Sequence, residues 1–461
     1  MIQIREYATL TTATDVPQSL DCATVSEQTF DWLAELARRW KAKEPVLLIE
    51  SKRAIKVGSH VGYLRSPHGE AIEILPKTGL GQEDPTKARR ILQRMLRSSL
   101  DIDPREASSA ELLAMNVPIH EWVYSQFLRH LSNLLRRGLR FWYEDIEEES
   151  RFLRGQLQAT KQMRQPPDRR HLFHIRHALF TPDRIENRLL RTALDYVRQH
   201  ANSPENWRLA NELGHRLDDI PAVRSPLLAM AQWQDSKLMA PYRTIRPWCR
   251  LILERLNPNF QKGEREGISL LFPMEKLFER HVEVCLRREL GPGFTLTAQA
   301  CSEHLLEHQP HGASRRQSWF QLKPDLLLRG ERQVHVLDTK WKLLEEQLNT
   351  TEHKYRINQA DLYQLFAYGQ KYQGGEGDMM LIYPKHPGFL APLPPFHFDG
   401  RLRLWAVPFD LEVGKLVRSD WSINFPALWT TLNPIRNLVD PMRRKTLDSH
   451  VAAGSTVKPV G

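Results

Sequence analysis

A chain of 461 residues exceeds what one ordinary hydrophobic core organises, so two or three domains are expected. Its 41% hydrophobic and 26% charged residues argue against wholesale disorder. A formal net charge of +10 draws polyanions and makes nucleic acid a candidate partner, although a generic basic surface would give the same count.

The N-terminal stretch MIQIREYATLTTATD lacks the long apolar segment of a secretory signal. No apolar run approaches the ~18 residues needed to cross a bilayer, and a cytoplasmic protein is expected. Residues 1–85 read as a β-rich domain after one short helix. VLLIE (46–50), AIKVG (54–58), VGYLR (61–65) and AIEILP (71–76) are β-prone runs divided by Gly, Ser, His and Pro, as in a meander or small barrel. From 86 to 257 the pattern is helical. DPTKARRILQRMLRSSL sets Ile91, Leu92, Met95 and Leu96 on one face, and EWVYSQFLRHLSNLLRRGL runs on until Gly138. KQMRQPPDRRHLFHIRH interrupts with a Pro-Pro pair, before further helical blocks at RIENRLLRTALDYVRQH and SPLLAMAQWQDSKLMAPYRTIRPWCRLILERL.

Residues 258–440 open with the loop NPNFQKGEREG. They continue as helix (274–290), strand (294–299), strand (319–329), strand (333–340), helix (358–373) and strand (379–383), a mixture typical of an α/β unit. The tail, 441–461, has little apolar content and is expected to be disordered. Cys22, Cys249, Cys285 and Cys301 are scattered without a CxxC pair, which suits reduced thiols better than a disulfide frame or zinc site.

The chemistry concentrates in QLKPDLLLRGERQVHVLDTKWK, residues 321–342. A hairpin turning at Glu331-Arg332 places Leu326 opposite Leu337, Leu328 opposite His335, and Asp325 opposite Asp338. Lys340, two residues on, shares the face of Asp338. Two carboxylates that close repel unless a cation lies between them. A hard ion such as Mg²⁺ takes oxygen ligands, and a lysine beside it can orient water or neutralise charge on a phosphate. The pattern fits metal-dependent phosphodiester hydrolysis; strand-end residues flanking an ordinary hairpin would fit it as well. Two neighbours bear on the choice. MEKLFERHVEVCLRREL carries an acidic line, Glu275, Glu279 and Glu283, beside an apolar stripe of Met274, Leu277, Phe278 and Val282. NQADLYQLFAYGQKY sets Asp361, Gln364 and Tyr368 on one side of a helix, suited to holding a nucleic-acid backbone or bracing the lysine.

These motifs resemble the PD-(D/E)xK nuclease superfamily, and within it the McrC family of nuclease subunits from McrBC modification-dependent restriction systems. MEKLFERHV, KPDLLL, LDTKWK and DLYQLFAYGQKY follow one another as in that family. EILPK (73–77), LLRRGLRFWY (134–143), LRGQL (153–157) and TPDRIENRLLR (181–191) extend the likeness over roughly residues 1–390. The resemblance implies a C-terminal restriction-endonuclease-like core with catalytic Asp325, Asp338, Lys340 and Glu279. Asp325, Asp338 and Glu279 would be the Mg²⁺ ligands, with Gln364, Tyr368 and Asp361 as accessory residues. It also implies an N-terminal part that engages a McrB-like AAA+ GTPase, GTP bound by that partner, and cleavage of double-stranded, modified DNA. This chain departs from the family pattern at Thr339 and Trp341, where Ala and Tyr are expected. It has no GxxxxGK[ST] phosphate loop, consistent with a nucleotide motor on another subunit.

The expected architecture is therefore α/β in the α+β multidomain sense: β-rich N-terminal domain, helical middle, PD-(D/E)xK core. Rival functions are a self-sufficient repair or recombination nuclease and a regulatory subunit whose nuclease residues are idle. The histidines of HLFHIRH (His171, His174, His177) and EHLLEHQPH (His304, His308) read as surface or structural groups rather than metal ligands. The Trp-bearing pieces ENWRLA, AQWQDS and RPWCRL read as helix packing, and the basic runs KARRILQRMLR and RQPPDRRH as either DNA-backbone tracks or solvated faces.

Overall fold

In the computed structural model of the chain the described residues are 1–40, 45–79, 84–100, 117–255, 268–330, 333–398 and 401–417. They belong to two compact units, Met1–His281 and Val282–Gly461. The domain boundary read at 257/258, the loop at 257–267, the hairpin turn at 331–332 and the tail at 441–461 lie outside the described residues.

The first unit begins with two four-stranded sheets. One has the order β1 (Ile2–Arg5), β7 (Ala71–Leu75), β6 (His60–Arg65), β11 (Ile268–Pro273); the other runs β3 (Cys22–Thr24), β2 (Thr9–Thr11), β5 (Ala54–Val57), β4 (Leu47–Ser51). All four sequence-predicted runs are strands. The first three strands, of three or four residues each, and β11 escape a sequence reading; β1 and β11 pair with partners remote in sequence, β1 parallel to β7 and β11 antiparallel to β6. Gly62, at φ 138°, is required in β6, since a Cβ there would stand 1.8 Å from the Leu270 carbonyl oxygen of β11. Helix α1 (Glu27–Arg39), capped by the Ser26 hydroxyl, buries Phe30 and Leu33 in a core with Ile4, Leu10, Ile55, Val57 and Ile72.

Helix α2 (Pro85–Ser99) starts at Asp84, whose carboxylate accepts from the Thr86 amide at 2.8 Å, and buries Ile91, Leu92, Met95 and Leu96 as its periodicity predicts. Helices α3 (Ile119–Arg137), α4 (Ile185–His200), α5 (Pro204–His215) and α6 (Arg246–Arg255) follow. The stretch is not helical throughout. β8 (Trp142–Ser150), β9 (Gln156–Leu157) and β10 (Phe173–Thr181) form a three-stranded antiparallel sheet within it, ordered β8-β10-β9. Acidic residues have low strand propensity and hide β8, WYEDIEEES, from a propensity argument. Cross-strand partners offset that: Arg176 reaches Asp145 at 2.7 Å and His177 reaches Glu148 at 3.1 Å.

The division between the units falls inside α7 (Met274–Glu289). The second unit holds a seven-stranded mixed sheet ordered β12 (Thr295–Ala298), β15 (Leu326–Arg329), β16 (Val334–Thr339), β17 (Gly377–Pro384), β19 (Leu402–Asp410), β18 (Phe396–His397), with β20 (Lys415–Leu416) on β19. β16, β17 and β19 run parallel to one another, and the remaining pairs are antiparallel. Helix α8 (Gln359–Tyr372) connects β16 to β17 and buries Leu365 and Tyr368 against Leu327, Val336, Met379, Leu381 and Leu404. The single strand expected over 319–329 is two. β13 (His304–His308) and β14 (Gln317–Gln321) form a separate hairpin, and β15 starts only after Pro324. Pro324 has no amide to give a ladder, and Phe320 turns the chain at φ 58°.

Candidate active site

The site gathers where β15 begins and β16 ends. The hairpin register is the expected one, Leu326 facing Leu337 and Leu328 facing His335. The ladder stops one step short of Asp325, whose half-buried side chain turns to β16: its Oδ2 accepts from the amide and the hydroxyl of Thr339, each at 2.8 Å. Its Oδ1 has a long contact of 3.5 Å from the Gln299 amide nitrogen.

Asp338 is 1% exposed, and neither of its oxygens has a hydrogen-bond partner. The Lys340 ammonium lies 2.7 Å from its Oδ2 as an ion pair. Burial, then the charge of Asp325, pushes the Asp338 carboxyl up to about 7 against the opposing pull of Lys340. For Lys340, burial pulls the other way, but the charges of Asp338, Asp361 and Asp325 outweigh it and hold the ammonium above its ordinary range. At both groups the neighbouring aspartate charges favour the proton-bound form, while burial raises Asp338 and opposes the rise at Lys340.

Asp361, at the start of α8, is buried and bridges two lysines, Lys342 at 3.2 Å and Lys340 at 3.9 Å. One turn further, Gln364 donates to the Tyr368 hydroxyl at 2.6 Å, and that hydroxyl donates to the Lys323 carbonyl at 2.9 Å. Helix α8 is thus tied to the backbone immediately before Pro324-Asp325. Glu279 lies on α7, half-buried and within the first unit. Of the same acidic line, Glu275 is exposed, whereas Glu283 is buried and paired with Arg287 at 2.8 Å.

A divalent ion suits the residues present. Two buried or half-buried carboxylates lie close enough to repel, and the unbonded Oδ1 of Asp338 is a desolvation cost that a hard cation would reduce. Mg²⁺ retains several waters, so two carboxylates are enough protein ligands. Among the described residues no three His, Cys, Asp or Glu side chains converge to hold a metal. His304 and His308 lie on a strand, where four residues span about 13 Å, too far for one ion. His174 and His177 pair with Glu149 and Glu148. Trp233 and Trp248 are buried, as packing residues would be, whereas Trp207 is half exposed.

Three residues escape the motif reading. Lys342 is quoted in LDTKWK, but nothing local marks it as Asp361's partner. Thr339 looks neutral until Asp325 is seen to bond its hydroxyl. Tyr383 of β17 is 2% exposed with an unpartnered hydroxyl, its pKa raised by burial and then by Asp361 and Asp338.

Comparison with known proteins adds the family. A model described as McrBC 5-methylcytosine restriction system component matches residues 55–384, more than half of the chain. Among solved structures, a chain of the refined half-complex from a tetradecameric assembly of Thermococcus gammatolerans McrB AAA+ hexamers with bound McrC is similar at 20% identity and TM-score 0.63. The match covers 89% of this chain and 94% of that one. The cryo-EM structure of the Thermococcus gammatolerans McrBC complex matches at 20% identity and TM-score 0.49, over 62% of this chain and 87% of that one. At such identity the likeness is one of fold. No curated protein matches.

Proposed function

The chain belongs to the McrBC family of 5-methylcytosine restriction system components, and on that premise we propose that it is the DNA-cleaving subunit of such a system, acting through a Mg²⁺-dependent PD-(D/E)xK site. One observation carries the reading: Asp338 is buried with its Oδ1 lacking a hydrogen-bond partner, its Oδ2 paired with Lys340, and within the field of Asp325. A structural strand end has no need of that arrangement, which costs stability until a cation is bound.

In the proposed site Asp325 and Asp338 would hold the ion. When bound, the ion supplies Lewis-acid stabilisation of charge developing on a phosphate and a more acidic water. Lys340 keeps its proton because three carboxylates surround it, and places a fixed positive charge where the phosphate gains negative charge. Asp361 limits the swing of Lys340 and Lys342. Gln364 and Tyr368 hold the Lys323 carbonyl, and so the turn that carries Asp325.

The partner we propose is a McrB-like AAA+ protein that binds and hydrolyses GTP, engaged by the N-terminal part (1–85) and stimulated by this chain. The similarity to an assembly of McrB AAA+ hexamers with bound McrC supports it. The substrate is double-stranded, modified DNA, the action cytoplasmic; no helix among the described residues is long and apolar enough to cross a membrane. The test is plasmid cleavage with Mg²⁺ by wild type and Asp338→Ala, each with and without the cognate AAA+ protein and GTP. Cleavage of methylated plasmid only by wild type with partner and GTP is the expected result. Cleavage without partner would favour a self-sufficient nuclease. No cleavage, with equal GTPase stimulation by both proteins, would make this a regulatory subunit.

A further inference from the structure

We propose that Thr339 is a positioning residue for the metal: its hydroxyl, together with its amide, fixes one oxygen of Asp325 so that the other is presented to the ion. The inference rests on the metal-dependent reading of the site. Asp338 in strand β16 and Lys340 just beyond its end pair with each other at 2.7 Å, and Thr339, the last residue of the strand, lies between them. The Lys340 amide donates to the Ile382 carbonyl of β17, at 2.9 Å. The Thr339 amide has no ladder partner on β15, because the ladder ends at Leu326. Asp325, just before that end, supplies the missing acceptor from its side chain.

The amide would be available whatever residue stood at 339. The hydroxyl would not, and it doubles the restraint: two donors at 2.8 Å on one oxygen stop the carboxylate from rotating about its terminal bond. Thr339 is 7% exposed, so water cannot readily replace its hydroxyl. A carboxylate free to rotate would lose entropy on taking an ion; one already held at Oδ2 keeps Oδ1, with only a contact of 3.5 Å from Gln299, for the cation. An alanine here would have to find this restraint elsewhere.

The test is calorimetric titration of the full chain with Mn²⁺ as probe, alongside cleavage at varied Mg²⁺ with partner and GTP. Thr339→Val keeps the shape and removes the donor; Thr339→Ser keeps the donor. Weaker Mn²⁺ binding by Thr339→Val of about tenfold, the size usual for a residue that orients a metal ligand, with Thr339→Ser close to wild type, is expected. The Mg²⁺ needed for half-maximal cleavage should rise in parallel. Equal Mn²⁺ affinity in wild type and Thr339→Val overturns the inference. Should Thr339→Val fail to fold, Thr339→Ala replaces it under the same criterion. Asp338→Ala separates the two levels. If it binds Mn²⁺ as wild type does, the metal site itself is wrong; if it loses the ion while Thr339→Val retains it, only the role of Thr339 is.

Discussion

Asp338 makes the site's electrostatics measurable without any substrate. Its folded-state pKa, about 7, lies above the ordinary 3.8, so between those values the folded chain binds the proton more tightly than the unfolded chain. The contribution of this group to metal-free stability is therefore fully present below about pH 4 and is lost as pH rises through about 7. Asp338→Asn should remove that slope, so that wild type loses stability relative to the variant as pH rises from about 5 to about 8. Mg²⁺ should raise the wild-type Tm at the higher pH and leave the variant's unchanged. Melting curves between about pH 5 and 8, with and without Mg²⁺, check both statements; a metal-free wild-type Tm that does not fall over that range would remove the argument. Much of the site is legible in PD…DTK, because strand alternation alone sets Asp338 and Lys340 on one face. The bond from Thr339 to Asp325 is not legible, because only the end of β15 lets Asp325 reach it.

Among the elements, β19 is the one no motif announces. It lies beyond residue 390, where the sequence resemblance ends, yet it runs parallel to β17 along eight paired positions, with Leu404 fully buried against α8's side of the sheet. We expect Leu404→Ala to destabilise the second unit by about 2–5 kcal/mol, the usual range for a buried leucine truncated to alanine, while leaving cleavage near wild type at temperatures where the variant is folded. Chemical denaturation followed by circular dichroism reads the first, and the plasmid assay the second. A loss below about 0.5 kcal/mol would mean that β19 is a surface addition rather than core. Elements with strong local signals, such as α2, match their periodicity closely. β8 does not, because its acidic residues are stabilised by partners on β10 that sequence separation conceals. The break between β14 and β15 was written in Pro324, but its consequence, a separate two-stranded hairpin, depends on β13.

At the scale of the molecule, the net charge of +10 matters for a polyanionic substrate. If about six phosphates are contacted, duplex affinity should fall on the order of a thousandfold between about 50 and 200 mM salt; fluorescence anisotropy with the partner present measures it, and a flat salt dependence would contradict a backbone-tracking basic surface. The amino-acid sequence by itself determined the local grammar of this protein: which runs form helices, the hairpin register that brings Leu326 to Leu337, and the identity of the charged residues at its mouth. These follow from propensity, periodicity and short loops, all of which act within a few residues. Tertiary structure alone decided that β11 completes a sheet begun at Ile2, that α8 holds Asp361 against two lysines, and that Asp338 is stripped of water. Burial and long-range pairing depend on chain segments remote in sequence, and desolvation, the force that sets the Asp338 pKa, exists only once those segments have met.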